Sequence, residues 1–111
     1  MVNYYYNEDK SAIGVLISVG FGTGWSTDNI HGINLAIDKR IINYWLNSSS
    51  ETPSEDIREA LSNLGYYSLL LYGWKNIELH WVPCGSTFRI VQYDGAEKIE
   101  IFNVKEWVTI E

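Results

Sequence analysis

The sequence has few of the residues that define several classes of protein. Among its 111 residues there is one cysteine, Cys84, which excludes an intrachain disulfide framework and fits a reducing compartment. Basic residues are also scarce, with 8 Lys+Arg against 14 Asp+Glu and a net charge of −6. Electrostatic binding of nucleic acid needs clustered cations, so we expect no direct contact with nucleic acid.

Long hydrophobic runs and targeting signals are missing as well. No apolar run approaches the ~20 residues of a membrane span, and the N-terminus lacks the basic and apolar regions of a signal peptide. These absences predict a cytoplasmic protein without membrane association. Aromatic residues are abundant instead, at 14% of the chain, and each buries roughly 150–250 Å². A single domain over residues 1–111 is therefore expected to build a core without disulfides.

The first two thirds of the chain predict one strand and two helices. Residues 12–19 form a short β-branched apolar run, which is typical of a buried strand. Apolar residues then recur every three or four positions over 28–47, as in an amphipathic helix. Thr52-Pro53-Ser54-Glu55 is a start signal for a second helix over 53–64, and Gly65 is suited to end it. We expect these helices to bury Ile33, Ile37, Ile41, Leu61 and Leu64.

The remainder of the chain predicts strands. Residues 66–72 are continuously apolar, and residues 77–81 alternate between apolar and polar. The segments 88–93 and 98–102 flank Asp94-Gly95, a favoured pair for a type I′ hairpin turn, and 107–110 is a last short strand. The order β-α-α-β-β-β-β implies an α+β domain, in which both helices pack on one face of a mostly antiparallel sheet.

The N-terminal Tyr4-Tyr5-Tyr6 segment has two interpretations. It is either a strand that pairs with the 12–19 run or an aromatic arm that packs on a second copy of the chain, forming a homo-oligomer. The sequence leaves both open.

A glycine-rich segment, residues 20–28, separates the first predicted strand from the first predicted helix. Backbone N–H groups at such a helix N-terminus bind anions, and Trp25 offers a ring for stacking. The dinucleotide fingerprint lacks its third glycine here, and a P-loop would need a lysine. In the alternative interpretation the glycines only permit a tight turn and Trp25 fills the core. The candidate ligand-binding residues of this loop are Gly22, Gly24, Trp25, Ser26 and Thr27.

Tyr93 and Asp94, at the tip of the predicted hairpin, complete the candidate site. If the strands share a sheet, this tip and the glycine-rich segment meet at one edge and form a single concave site. Otherwise each is an independent turn. No metal site is predicted, because His80 and Cys84 have no second pair of ligands beside them. Ser26 lies outside a Gly-x-Ser-x-Gly elbow, so we predict no catalytic residue and no cofactor.

Two segments carry a resemblance to known sequences. They are Val19-Gly-Phe-Gly-Thr-Gly-Trp-Ser-Thr and Trp81-Val-Pro-Cys-Gly-Ser-Thr-Phe-Arg-Ile-Val-Gln-Tyr-Asp-Gly-Ala-Glu. They resemble a family of small uncharacterised phage and prophage proteins that share a Gly-x-Gly-Trp-Ser-Thr loop and a Trp-Val-Pro…Tyr-Asp-Gly segment. Asp28 departs from the family, which has an aromatic residue after Ser-Thr. The resemblance implies a virus–host setting in the cytoplasm of an infected bacterium.

Three functions are compatible with these observations. The first is a non-enzymatic binding protein that counteracts host immunity by sequestering a small anionic, nucleotide-type ligand at the glycine-rich segment. The second is an acidic inhibitor, comparable to anti-CRISPR proteins, that blocks a host defence protein by direct contact. The third is a small hydrolase. The negative charge favours the inhibitor, whereas the glycine-rich segment with its indole favours ligand binding.

Overall fold

The computed structural model describes residues 3–20, 22, 24–48, 54–67, 71 and 74–102. Within these ranges the chain has the predicted α+β fold, with three α-helices and two antiparallel two-stranded sheets. The helices are α1 (Asn34–Ile37), α2 (Lys39–Leu46) and α3 (Ser54–Asn63). The strands are β1 (Ala12–Ser18), β2 (Ile77–Pro83), β3 (Thr87–Tyr93) and β4 (Ala96–Phe102).

Strand β1 lies between two apolar layers, which explains why its residues are apolar on both faces. It pairs with β2 so that Leu16 lies opposite Leu79 and Val15 opposite His80. Leu16 belongs to a buried cluster with residues of α2 and α3. Val15 belongs to a second cluster, formed with α1 and the β3–β4 hairpin. A continuous apolar run is the pattern of a strand that is covered on both sides.

The strands form two sheets where the sequence predicts one. The β3–β4 hairpin is not hydrogen-bonded to β1 or β2 as a further strand. Instead, it packs its inner face on the second cluster through Phe88, Ile90 and Ile99. Its turn is as predicted, because Asp94 and Gly95 both have positive φ, 50° and 87°, as a type I′ turn requires.

The long helix predicted over 28–47 is a series of turns followed by two shorter helices. Asp38, with ψ of 120°, interrupts the helix between α1 and α2, and its side chain caps α2 by accepting the N–H of Arg40. Helical periodicity does not extend across the turns, so Ile33 is 42% exposed and the prediction that it faces the core is wrong. The other predicted core residues are buried or half-buried: Ile37, Ile41, Leu61 and Leu64.

Helix α3 lies close to its predicted bounds. The N–H groups of Gly65 and Tyr66 return to the carbonyls of Ser62 and Leu61, both at 2.9 Å, and Gly65 has φ of 98°. This is the Schellman motif that the glycine predicts. Three other predictions fall wholly or mostly outside the described residues: the start signal before Ser54, the strand over 66–72 and the strand over 107–110.

Candidate functional site

The glycine loop (residues 20–28) and the tip of the β3–β4 hairpin lie against each other. The N–H of Gly22 donates to the carbonyl of Asp94 at 2.5 Å. Side chains add a second link, because Gln92 Nε2 donates to Asp28 Oδ1 at 2.8 Å. Gln92 Oε1 also accepts the N–H of Gly95 at 2.9 Å. The two turns therefore form one junction, although their strands belong to different sheets.

A buried carboxylate, Glu97, holds this junction together from the inside. Its Oε2 accepts the N–H and the hydroxyl of Thr27 at 2.9 and 2.6 Å, and its Oε1 accepts the N–H of Ser18 at 3.0 Å. Ser18 Oγ in turn donates to the carbonyl of Gly95 and accepts the N–H of Trp25, both at 3.0 Å. Residues far apart in the sequence are thus fixed to one another by a continuous set of hydrogen bonds.

Glu97 is not among the site residues that the sequence predicts, because an acidic residue in a strand more often lies on its solvated face. In β4 it shares a face with Ile99, which packs on the core. This alternation is the signal that places a carboxylate on the inner face of the hairpin. A carboxylate that is only 4% exposed is costly without hydrogen-bond donors, and the glycine loop supplies them.

Two glycines of the junction are required by close approach. A Cβ on Gly95 would collide with the backbone of Gly22, and a Cβ on Gly24 would collide with the Thr27 hydroxyl. Gly95 also has a positive φ, which side chains rarely adopt. These positions are therefore explained by the packing of the loop on the hairpin.

Trp25, the predicted stacking residue, belongs to the core. Its side chain is fully buried, and its indole N–H donates to the carbonyl of Leu35 at 3.2 Å. Its ring packs edge-to-face on Trp74, with centroids 5.6 Å apart. The stacking role is corrected in favour of the alternative interpretation, because a fully buried indole presents no face to a ligand. Ser26 is buried beside it.

Four N–H donors of the glycine loop are engaged within the chain. Those of residues 22, 24, 25 and 27 donate to Asp94, Asp28, Ser18 and Glu97 respectively. The predicted helix N-terminus is also missing from the loop, because residues 24–33 form turns and bends and α1 begins at Asn34. Three of the predicted site residues are exposed: Gly22, Tyr93 and Asp94. Tyr93 is 75% accessible to solvent.

The N-terminal tyrosines pair with β1 of their own chain, as one of the two interpretations predicts. The N–H of Gly14 donates to the carbonyl of Tyr5 at 2.7 Å, and Tyr6 forms an antiparallel bridge with Ile13. Tyr5 stacks on Trp81. Tyr4 and Tyr6 make an edge-to-face pair with centroids 6.3 Å apart, because residues two apart in an extended segment point to the same face.

Tyr4 and Tyr6 form one wall of a cavity of about 340 Å³, which we call the tyrosine pocket. Apolar side chains of β1, β2, β3 and the start and end of α1 make up most of the remaining wall. The thiol of Cys84, which is exposed and donates to the carbonyl of Lys10 at 3.5 Å, also lines it. The pocket is lined by Tyr4, Tyr6, Ile13, Ile33, Ile37, Val82, Pro83, Cys84, Gly85, Ser86 and Phe88. The tyrosines are conspicuous in the sequence, but the pocket is not, because its walls come from segments that are far apart in the chain.

A buried carboxylate, Asp38, and the exposed Arg40 form an ionic cluster with Tyr66 at the break between α1 and α2. Asp38 accepts hydrogen bonds from the Tyr66 hydroxyl at 2.5 Å and from Arg40 Nη2 at 2.8 Å. Burial raises the pKa of Asp38, but the hydrogen bonds from Arg40 and Tyr66 outweigh burial and hold this pKa below its ordinary value. Burial, together with the hydrogen bond to Asp38, raises the pKa of Tyr66 to about 12. The cluster anchors α2 to the segment after α3.

The remaining chemically reactive groups are dispersed. His80 pairs with Glu78 at 3.1 Å, whereas the Cys84 thiol bonds to the backbone at Lys10. Within the described residues, no three His, Cys, Asp or Glu side chains lie close enough to hold a metal ion. In the same part of the chain, no helix has the length and apolar character to cross a bilayer.

Comparison of the chain with family models, curated proteins and solved structures gave no match. The resemblance to small phage proteins therefore stays a prediction.

Proposed function

We propose that this protein is a non-catalytic binding protein that holds a small, largely apolar ligand in the tyrosine pocket. The observation that carries the proposal is the pocket itself, a cavity of about 340 Å³ with mostly aliphatic and aromatic walls. Ligand sites are commonly concave and apolar, with a few polar groups that orient the ligand. The proposal keeps the predicted class of function, sequestration of a small molecule, and moves the site away from the glycine loop.

The geometry of the glycine loop supports this change of site. An anion at the loop would need free backbone donors, and four of the loop N–H groups are engaged within the chain. The carboxylates of Asp28 and Glu97 lie among those donors and would repel it. The loop instead fixes the hairpin, and the inner face of the hairpin contributes Phe88 to the wall of the pocket.

The single cysteine gives a direct test, because Cys84 lines the pocket. The uncharged fluorophore N-phenyl-1-naphthylamine is titrated into the protein, and the rate of Cys84 modification by Ellman's reagent is measured in parallel. We expect saturable fluorescence enhancement and slower modification of Cys84 at the same probe concentrations. An unchanged modification rate at saturating probe would contradict the proposal.

A matched pair of variants locates the probe. Ser86→Phe places a ring at a position that lines the pocket, whereas Thr87→Phe adds the same ring one residue later, on the outer face of β3. We expect Ser86→Phe to abolish probe binding and Thr87→Phe to leave it unchanged. Circular dichroism of both variants checks that they are folded.

The hairpin tip supports a second candidate function, an acidic inhibitor that contacts a host defence protein. Tyr93 is 75% exposed on a turn that hydrogen bonds connect to the glycine loop. Its neighbours in the chain are Asp94 and Gln92, and Gln92 contacts the carboxylate of Asp28. Exposed aromatic residues with an acidic surround suit a basic protein surface. In the virus–host setting that the resemblance implies, the partner would lie in the bacterial cytoplasm, where an exposed free thiol such as Cys84 stays reduced.

Site-specific cross-linking tests this second candidate. Benzoylphenylalanine is placed at position 93 and, as a control, at position 62 on the exposed side of α3. We expect one bacterial protein to cross-link only from position 93, and the purified partner to bind Tyr93→Ala at least about tenfold more weakly than wild type, the order of effect of losing a central aromatic residue. If the partner bound Tyr93→Ala and the wild type with equal affinity, the inhibitor function at the hairpin tip would be refuted.

A further inference from the structure

We infer that the ligand of the tyrosine pocket is amphipathic, with an apolar body inside the pocket and an anionic head group bound at Lys39. This inference rests on the proposed function and adds the chemical class of the ligand. It starts from a second cavity, of about 320 Å³, that is lined by Asn3, Tyr4, Tyr6 and Lys39. Tyr4 and Tyr6 line both cavities, so an apolar compartment adjoins a polar one across this pair.

Lys39 is the cation available to a ligand in the polar compartment. Its backbone N–H donates to the carbonyl of Asn3 at 2.8 Å, which fixes the start of α2 against the N-terminal segment. Within the described part of the chain, its ammonium has no carboxylate at ion-pair distance. The neighbouring cation, Arg40, is instead held by Asp38. The chain as a whole has a net charge of −6 and repels anions. The Lys39 ammonium beside the cavity attracts an anion to this one place.

The two tyrosines are suited to the boundary between the compartments. Each has an apolar ring and a polar hydroxyl, so tyrosine is common where one end of a site is dry and the other is wet. Neither hydroxyl has a hydrogen-bond partner among the residues that the structure describes. Both can therefore donate to a carboxylate whose hydrocarbon chain lies against Ile37 and Val82 on the apolar side. A medium-chain carboxylate combines these features.

The experiment compares octanoate with octanol, which have the same chain and differ in the head group. Affinities are measured by protection of Cys84 from Ellman's reagent and by displacement of the fluorophore, below the micelle-forming concentration. We expect octanoate to bind about two- to fivefold more tightly than octanol, as for a partly exposed ion pair. We expect Lys39→Met to remove this preference and Lys39→Arg to retain it.

Lys98→Met is the matched control, because it removes one exposed positive charge from the outer face of the hairpin, away from the pocket. It should leave the preference for octanoate intact. Equal binding of octanol and octanoate by the wild type would overturn the inference and leave the proposed function standing. A preference that survives in Lys39→Met would also overturn it. Failure of both compounds to protect Cys84, together with failure of the fluorophore, would overturn the proposed function itself.

Discussion

The carboxylate of Glu97 accepts both the backbone N–H and the hydroxyl of Thr27, at 2.9 and 2.6 Å. This pair connects the glycine loop to β4 from inside the protein. Because one carboxylate oxygen serves two donors, the contact depends on the charge and on the absence of any hydrogen on that oxygen. The glycine loop therefore does more than connect β1 to α1: it also packs on the hairpin and supplies hydrogen-bond donors to β4.

The first prediction concerns this carboxylate. Glu97→Gln replaces one acceptor oxygen by an NH₂ group that faces donors, so we expect the free energy of unfolding to fall by about 1–3 kcal/mol. Urea denaturation measures it. Glu100→Gln, on the same strand, removes a carboxylate whose partner is the exposed Arg89, and should cost about 0–1 kcal/mol. Equal losses of unfolding free energy in the two variants would contradict the prediction, because the buried contacts of Glu97 would then stabilise the fold no more than an exposed ion pair does.

The second prediction separates close approach from backbone strain at glycine. Gly95 and Gly85 have nearly the same φ, 87° and 84°, but a Cβ would collide with Gly22 only at position 95. Gly85→Ala should therefore cost about 1–2 kcal/mol from strain alone. Gly95→Ala should cost clearly more, because the loop must also move. Urea denaturation of both variants gives the comparison, and similar losses would contradict the close approach.

The third prediction tests the position of Trp25. Since the indole is fully buried, Trp25→Ala should lower the free energy of unfolding by about 3–5 kcal/mol. Trp81→Ala is the control, because Trp81 is partly exposed and stacks on Tyr5, so its loss should be smaller. Binding of N-phenyl-1-naphthylamine by a folded Trp25→Phe variant should equal that of the wild type. If the folded Trp25→Phe variant bound the fluorophore more weakly than the wild type, Trp25 would be part of the ligand site and the prediction would be wrong.

The fourth prediction is a loss of stability at alkaline pH that depends on Tyr66. The folded state raises the pKa of Tyr66 from 10.0 to about 12, so between these values the folded state binds more protons than the unfolded state. The stability from protonated Tyr66 is therefore complete below pH 10 and is lost as the pH rises toward 12. Tyr66→Phe should flatten the fall in unfolding free energy over this range. Tyr67→Phe, at the exposed neighbouring tyrosine, should leave it unchanged, and equal slopes in all three proteins would refute the assignment.

Local signals in the sequence were sufficient for several elements. The β-branched run at residues 12–19 predicts β1, and Asp94-Gly95 predicts the hairpin turn, because the conformation of each depends on a few adjacent residues. Gly65 predicts the end of α3 for the same reason. The meeting of the glycine loop with the hairpin tip was one of two alternatives that the sequence left open, and it was tied there to a single shared sheet and a ligand site. The two turns meet although their strands lie in different sheets, and the sequence did not indicate the acidic interior of the junction.

The sequence by itself determined the α+β class, β1, the hairpin and the end of α3, since propensity, capping and turn chemistry act within one or two turns of the chain. Only the tertiary structure decided that Trp25 is in the core, that Asp38 divides the predicted helix and that Tyr4 and Tyr6 line a pocket. The buried carboxylate of Asp38 accepts a hydrogen bond from the hydroxyl of Tyr66, 28 residues away in the sequence. The buried carboxylate of Glu97 accepts one from Thr27, 70 residues away. A buried carboxylate is stable only where folding brings such donors to it, and no local pattern records which distant residues will supply them.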